Sequence, residues 1–142
     1  MNPLSFLKSL FSITKKTSKK SFPNIVVAKV TSIDKHPNAD RLRIIKLDIG
    51  NIIIEPVICG AFNFETGDLV ALALPGAEIP QNIHSATHEP FVLGKAKIRG
   101  IESQGMICAA FELGLTKEPG TGIIQLKNNS TLGSQFSPEM IQ

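Results

Sequence analysis

Short apolar runs alternate with turn-forming residues along this chain, and that pattern constrains its fold more than any other feature. The first run, residues 25–33, is rich in β-branched side chains, and others follow at 41–49, 52–59, 68–74, 91–99, 106–109 and 121–126. Gly, Pro, Asn and Asp separate them, and these residues favour tight turns. Closely spaced strands joined by such turns predict an all-β barrel or sandwich, of which we favour a small barrel.

Length and composition predict one folded domain with a distinct segment at each end. The chain has 142 residues and 42% hydrophobic content, which excludes disorder for most of it. Residues 1–21 combine apolar residues near helical spacing with lysines, and we interpret them as an amphipathic, basic N-terminal tail. Residues 22–127 form the predicted domain. Residues 128–142 are a polar C-terminal extension that we expect to fray.

The positive charge is unevenly distributed. Residues 1–30 contain six lysines and no acid, whereas residues 31–142 contain nine basic residues against twelve acidic ones. Any nucleic-acid surface on the body of the domain must therefore be a local patch. The chain contains eight Phe but neither Trp nor Tyr, so Phe62 and Phe64 are the obvious candidates for stacking on bases.

Turn signals and helix signals place the remaining elements. Pro37 disfavours helix in the loop 34–40, and Gly50-Asn51 is a hairpin turn signal. Pro56 interrupts a predicted strand and indicates an edge position or a bulge. We expect one short helical turn at 111–115 and a long surface loop at 79–90.

The segment GKAKIRGIESQGMICAA, residues 94–110, carries the clearest basic pattern. Lys95, Lys97 and Arg99 are spaced two apart, which in a strand puts all three on one face. Gly100 then predicts a bulge or a close backbone approach. The turn at 102–105 either approaches RNA or forms a structural corner, and the cations could equally form an ordinary solvated face.

No catalytic or metal-binding constellation stands out. Cys59 and Cys108 lie singly in apolar runs and are interpreted as buried free thiols, which suit a reducing compartment. His84 and His88 are four apart, but Pro90 and polar neighbours favour a loop over a metal-binding helix. We therefore expect neither enzyme activity nor cofactor nor metal, and the sequence shows no membrane-spanning run.

Six ordered motifs together resemble one family. They are KHPNADRL at 35–42, VICGA at 57–61, ALPGA at 73–77, KAKIRG at 95–100, SQGMIC at 103–108 and ELG at 112–114. In this order they resemble the tRNA-binding domain near the N-terminus of the bacterial phenylalanyl-tRNA synthetase β subunit. Stand-alone tRNA-binding proteins, some methionyl-tRNA synthetases and endothelial monocyte-activating polypeptide II contain similar domains. The resemblance covers about residues 25–126.

The resemblance implies an OB-fold, a five-stranded Greek-key barrel that binds tRNA through backbone and shape without chemistry of its own. The short lysine-rich front and the end at Gln142 favour a stand-alone protein over an excised synthetase domain. The family often has Pro at the position of Phe62, and the stretch 84–90 is longer than usual, so loop contacts there do not transfer.

We predict RNA contacts from the two basic clusters and the adjoining turn. They are Lys35, Arg41, Arg43, Lys46, Lys95, Lys97, Arg99, Ser103 and Gln104. Some of these cations could instead pair with Asp48, Glu55 or Glu102 across the sheet. The expected partners are tRNA and either a second copy or a synthetase, without DNA specificity or membrane binding, in the cytoplasm. The alternative is a protein-interaction or dimerisation module with an incidental basic strand.

Overall fold

A computed structural model describes residues 21–142 and builds them almost entirely from antiparallel strands, so the all-β prediction is confirmed. The strands are β1 Ile25–Lys35, β2 Arg43–Asp48, β3 Ile53–Cys59, β4 Leu69–Ala73, β5 Glu78–Ile79, β6 Phe91–Val92, β7 Ala96–Ile98, β8 Ile101–Ser103, β9 Met106–Ile107 and β10 Gln125–Leu126. A single 3₁₀ turn follows at Pro138–Met140. The predicted tail lies outside the described residues, except for Ser21.

Strand order gives the main sheet a Greek-key arrangement. Its order is β10-β4-β1-β2-β3, with β9 also paired to β4. Three consecutive strands thus form a meander, and the fourth returns beside the first, as in a Greek key. The sheet curls so that β9 approaches β3 without a ladder between them, leaving an open, OB-like barrel. Two small hairpins, β5–β6 and β7–β8, lie outside this sheet.

Alternating side chains of the main sheet fill the barrel interior. Successive residues of a strand point to opposite faces, so each strand contributes every second residue to this inner core. The inner core consists of Ala28, Val30, Ile45, Leu47, Val57, Cys59, Phe64, Val70, Leu72 and Ile107. The same strands present their other apolar residues on the outer face of the sheet. Other parts of the chain must therefore pack over that face.

The C-terminal segment supplies much of that cover, so the expectation that it frays is wrong. Phe136 is 1% exposed and packs edge-to-face on Phe22, with ring centroids 5.3 Å apart. Backbone amides of Val27 and Phe136 donate to Ser134 and Ile25, which ties this segment to β1. With both faces covered, all five residues of β4 are buried. Apolar residues scattered through a polar sequence therefore complete a second, outer core, which includes Phe22, Ile25, Val27 and Phe136.

Two sequence predictions, one of a turn and one of an edge strand, are confirmed by the β2–β3 hairpin. Gly50 and Asn51 have φ of 106° and 63°, and the Ile49 amide donates to the Ile52 carbonyl across them. Positive φ at both central residues is the geometry for which Asn and Gly are favoured in tight hairpins. Pro56 lies in β3, the edge strand of the main sheet, as its missing amide hydrogen requires.

One element prediction is wrong, and a second is confirmed in part. The expected strand at 91–99 is split, because Leu93 hydrogen-bonds to Ala77 while Ala96, beyond Gly94, pairs with Ser103. Two different partners require the chain to change direction between them.

The expected helical turn at 111–115 is a hydrogen-bonded turn in which the Leu115 amide donates to the Ala110 carbonyl. Among the described residues, no helix is long and apolar enough to span a bilayer.

Glu112 in this turn makes stability depend on pH. It is 8% exposed, and its Oε1 accepts a hydrogen bond from the Ala109 amide at 2.8 Å. Burial raises the pKa of the Glu112 carboxyl, although the Ala109 hydrogen bond and nearby His84 oppose that effect. The folded state therefore binds this proton more tightly than the unfolded state. The contribution to stability is complete below the unfolded pKa and is lost as pH rises through the folded pKa.

We expect Glu112→Gln to be more stable than the parent chain at neutral pH. Glutamine keeps an oxygen for the Ala109 amide but has no charge to desolvate. The difference in unfolding free energy should shrink towards zero as pH falls below the unfolded pKa of about 4.3. Urea unfolding of both proteins between pH 3.5 and 7 measures it, at about ten pH values. A constant difference across that range would contradict the assignment.

Candidate nucleic-acid interface

His36 connects the two basic segments that the sequence keeps about sixty residues apart. Its side chain is 1% exposed, and Nε2 lies 3.1 Å from the Ile98 carbonyl oxygen in the β7–β8 hairpin. Nδ1 accepts from the Asn38 amide at 3.0 Å, so the neutral tautomer with its proton on Nε2 satisfies both contacts. The Asn38 side chain adds a longer bond, 3.4 Å, to the Arg99 carbonyl. The loop at 36–42, called the His36 loop below, is thereby held against the hairpin.

The β7–β8 hairpin ends in a two-residue turn formed by Arg99 and Gly100. Ile98 pairs with Ile101, and φ is 52° at Arg99 and 92° at Gly100. Positive φ at both positions identifies a type I′ turn, so the predicted bulge at Gly100 is a hairpin turn. Lys97 remains on the strand opposite Glu102, and Lys95 lies in the connection before it. The three cations therefore do not lie along one strand face.

Five exposed cations surround the contact between the His36 loop and the hairpin. They are Lys35, Arg41, Lys95, Lys97 and Arg99. Two carboxylates accompany them: Asp40, 3.8 Å from Lys35, and Glu102. The Lys35–Asp40 pair is highly exposed and contributes little. Within residues 21–142, no ion pair involves Lys95, Lys97 or Arg99. We call these five side chains the cationic surface.

Lys46 and Arg43 have different surroundings from the cationic surface. Lys46 lies 3.7 Å from Glu55 on the neighbouring strand, one of the pairings anticipated from the sequence. Arg43 is half-buried, with its guanidinium carbon 4.6 Å from the ring centre of Phe62 and 4.7 Å from that of Phe64. Its terminal nitrogen donates to the carbonyls of Ala61 and Phe64. Arg43 thus supports the loop after β3 instead of extending into solvent.

Ser103 and Gln104 form a structural corner. The Ser103 hydroxyl is buried, accepts from the Ile58 amide at 2.9 Å and donates to the Gly105 carbonyl at 2.9 Å. The backbone amide of Gln104 donates to the Pro56 carbonyl, which joins the corner to β3. At Gly105, a Cβ would lie 2.7 Å from the Ala73 carbonyl oxygen, so a larger residue does not fit. Ser103 therefore has a structural role in this corner, and RNA contact by Ser103 and Gln104 stays a prediction.

A comparison with known protein families identifies the family of this domain. A family model described as "Putative tRNA binding domain" matches residues 25–135, which include every element of the surface just described. The chain belongs to this tRNA-binding domain family. The recognition made from six sequence motifs is therefore confirmed.

Curated relatives of this tRNA-binding domain are much longer proteins. It is 39% identical over 121 residues to the phenylalanine–tRNA ligase beta subunit of Fusobacterium nucleatum, covering 85% of this chain and 14% of the relative. It is 50% identical over 108 residues to the same subunit of Rhodospirillum rubrum, covering 76% of this chain and 12% of the relative. The chain therefore spans about one seventh of the length of the curated relatives it matches.

A solved structure shares the fold at low sequence identity. The structure of a MetRS-related protein from Pyrococcus horikoshii superposes with a TM-score of 0.56 and 17% identity. The match covers 88% of this chain and 95% of that one. At this identity the likeness supports the fold alone.

Sequence reasoning missed the role of His36 in this tRNA-binding domain. A histidine before Pro37 in a polar loop gives no local sign of a structural role, since its partner, the Ile98 carbonyl, is 62 positions away. The available signal was an imidazole beside turn formers, because such a ring can bond its own loop and a second segment at once.

The cysteines and the histidine pair offer no support for catalysis. Cys59 and Cys108 are buried free thiols, as predicted, and burial raises the pKa of both. Such thiols are poor nucleophiles. His88 packs edge-to-face on Phe111, with ring centroids 4.8 Å apart. Within residues 21–142, no group of three potential ligands could hold a metal ion.

Arg99 occupies a backbone conformation that favours other residues. Replacing it should therefore raise stability while it weakens tRNA binding. Asn is preferred at the first position of a type I′ turn, whereas a left-handed conformation costs most other residues about 1 kcal/mol. We expect Arg99→Asn to raise the unfolding free energy by about 0.5–1 kcal/mol and to weaken tRNA binding. Urea unfolding and equilibrium tRNA binding measure the two effects, with Lys117→Asn, an exposed site elsewhere, as the charge-matched control. Weaker folding together with unchanged binding would contradict this view of the turn.

Proposed function

We propose that this domain binds folded tRNA without catalysing a reaction on it, and that the cationic surface is the contact. The observation that carries the proposal is the hydrogen bond between His36 Nε2 and the Ile98 carbonyl. It joins two basic segments from distant parts of the chain into one surface. Family membership supports tRNA as the nucleic acid.

The charge distribution of the surface suits a phosphate backbone. Five exposed cations against two carboxylates form a local positive patch, although residues 31–142 are acidic in sum. A cation that makes no ion pair within the protein loses no protein contact when it binds a phosphate. The favourable free energy of binding then comes from the counterions that are released from the RNA. Such contacts carry little sequence information, which fits recognition of many tRNAs by shape.

The aromatic side chains favour a structured RNA over an extended single strand. Proteins that bind single strands stack several successive bases on aromatic rings. Among residues 21–142, Phe62 is the exposed phenylalanine, at 58% exposure, while Phe64 is 1% exposed. One ring can accept one base at most per face, so most of the affinity must come from the phosphates of a folded molecule.

The biological setting follows from the relatives and the cysteines. The names of the relatives identify them as phenylalanine–tRNA ligase beta subunits, so presentation of tRNA to a synthetase is the setting we favour. The domain acts either as a stand-alone protein or as a part of such a subunit. Two buried, unpaired thiols suit the reducing cytoplasm.

A second candidate is a dimerisation module, favoured by one apolar surface. Ile52 and Ile53, at the tip of the β2–β3 hairpin, are 58% and 49% exposed, and Ile53 lies on the edge strand β3. Edge strands with apolar residues pair readily with another copy. Sedimentation of the chain and of Ile52→Lys tests this candidate, since the charged variant should lose any self-association.

Equilibrium binding to three nucleic acids tests the main proposal. The chain is titrated with unfractionated tRNA, a single-stranded RNA of similar length and duplex DNA, each at 50 and 200 mM salt. We expect tRNA to bind most tightly and its affinity to fall by at least an order of magnitude between these salt concentrations. Equal affinity for all three at both concentrations, or no tRNA binding at 50 mM salt, would refute the proposal.

A further inference from the structure

Phe62 is an exposed aromatic ring supported from within the protein. Its residue is 58% exposed, while the guanidinium of Arg43 lies over its ring, 4.6 Å from the centroid. That guanidinium also contacts the buried ring of Phe64, so Arg43 links the exposed ring to the core. A cation over one ring face leaves the other face for a partner, and more than half of the surface of the residue meets solvent.

The loop that presents Phe62 is held on both sides. On one side, Arg43 donates to the carbonyls of Ala61 and Phe64, at 3.0 and 3.3 Å. On the other, Asn63 exchanges two side-chain hydrogen bonds with the backbone of Ile123, at 3.0 and 2.9 Å. Gln125 adds a bond from its side chain to the Asn63 carbonyl. A ring fixed in this way loses little conformational entropy when a partner stacks on it.

The loop that carries Phe62 adjoins the His36 loop. A Cβ placed on Gly60 would lie 3.6 Å from the Arg41 carbonyl oxygen and 3.4 Å from the Leu42 side chain. The loop that starts at Gly60 is therefore in contact with the His36 loop, which carries the exposed Arg41. A nucleotide needs an aromatic surface for its base and a cation for its phosphate, and both are present here.

The surroundings of Phe62 are unlike an apolar protein-docking patch. The exposed isoleucines Ile52 and Ile53 lie at the opposite end of the β2–β3 ladder, because Ile53 pairs with Asp48 whereas Cys59 pairs with Arg43. Six residues of strand separate these ends by about 20 Å. The exposed residues near Phe62 along the chain are small or polar, Gly60 and Asn63. Large contiguous apolar patches mark protein-docking sites, and Phe62 lies apart from the exposed isoleucines that could form one.

We infer that Phe62 is a stacking site for one unpaired nucleobase of the bound RNA, beside the phosphate contacts of Arg41 and the hairpin. This inference rests on the proposed function and adds to it a specific feature of the ligand. A folded RNA with an unpaired base near the contact should bind more tightly than a fully paired helix. Phe62 would then contribute affinity without reading sequence, since every base has a face to stack.

Replacement of Phe62 by tryptophan provides a direct test, because the chain contains no tryptophan of its own. In Phe62→Trp the single indole reports its own stacking through loss of fluorescence. The variant is titrated with unfractionated tRNA and with a fully paired RNA duplex of similar length. Ile53→Trp, at the far end of the ladder, is the matched control. We expect tRNA to quench Phe62→Trp, and neither the duplex nor the control to show quenching.

Affinity measurements complete the test. Phe62→Ala and Phe62→Leu should each weaken tRNA binding by on the order of 10-fold while leaving duplex binding unchanged, since leucine is apolar but lacks a ring. Phe62→Trp should bind tRNA at least as well as the parent. Circular dichroism should be the same for all four proteins, because the ring is at the surface.

Several outcomes would overturn the inference. If the parent chain binds tRNA but Phe62→Trp is not quenched, or Phe62→Leu binds normally, the stacking site is wrong and the proposed function stands. If Phe62→Ala instead changes the sedimentation coefficient of the free protein, the ring belongs to a contact between copies. If the parent chain does not bind tRNA, the proposed function and the inference fail together.

Discussion

Replacing His36 with alanine should lower the unfolding free energy by about 2–4 kcal/mol, because it leaves a cavity and deletes two hydrogen bonds. The ring is 1% exposed and bonds both the Asn38 amide and the Ile98 carbonyl. Without it, the His36 loop and the β7–β8 hairpin are no longer held together. We therefore also expect tRNA affinity to fall on the order of 10-fold, measured at a temperature where the variant is fully folded.

Two conservative variants separate stability from the connection itself. In His36→Gln the side-chain amide can reach the Ile98 carbonyl, as Nε2 does, while in His36→Asn the oxygen can replace Nδ1 as acceptor for the Asn38 amide. If the contact between loop and hairpin supports binding, glutamine should retain more tRNA affinity than asparagine at equal stability. Equal affinities for the two variants would show that His36 has a purely local role.

Removing the two cations of the hairpin together with Lys95, just before it, should have the largest effect on binding. In Lys95→Ala/Lys97→Ala/Arg99→Ala we expect tRNA affinity to fall about 10- to 100-fold at 100 mM salt. The slope of log K against log salt should become shallower by about 2–3, since each lost phosphate contact reduces it by nearly one. Different tRNAs should be affected equally. The measurement is a salt titration of binding by the variant and its parent.

A variant with the same loss of charge provides the control. Lys29, Lys117 and Lys127 are also exposed lysines, and they lie outside the His36 loop and the hairpin. Their triple alanine variant changes net charge equally but should alter the slope by less than one. If the two triple variants behave alike, binding depends on total charge and the cationic surface has no special role.

The sequence predicted the architecture well where local chemistry decides it. Short apolar runs predicted most of the strands, Gly50-Asn51 identified a tight hairpin, and Pro56 indicated an edge position or a bulge. Six motifs identified the family, which the family model confirms. Each of these signals depends on a few neighbouring residues. It can therefore be recognised without knowledge of the tertiary structure.

The wrong predictions depended on contacts between distant residues. Period-two spacing suggested one basic strand at 91–99, but pairing with Ala77 before Gly94 and with Ser103 after it divides the segment. Polar composition suggested a fraying end after Lys127, whereas Phe136 packs into the outer core. Composition averages over a segment and hides the one side chain that anchors it.

The candidate site was predicted only in part, because it too depends on contacts between distant residues. The exposed cations of the hairpin and the His36 loop were named from the sequence, and their contact with RNA stays a prediction. Arg43 was named for its charge, yet its guanidinium lies against Phe62 and Phe64. Charge alone does not distinguish a cation that faces solvent from one that supports a loop.

Photo-crosslinking to bound tRNA tests most directly whether the cationic surface is the contact. A photoreactive amino acid is placed singly at position 41, 99 or 53, and each protein is irradiated with unfractionated tRNA. Positions 41 and 99 lie in the two segments that His36 joins, whereas Ile53 lies at the far end of the β2–β3 ladder. We predict efficient crosslinks from 41 and 99 to neighbouring nucleotides and few from 53. Crosslinking from 53 that equals or exceeds that from 41 and 99 would contradict this account.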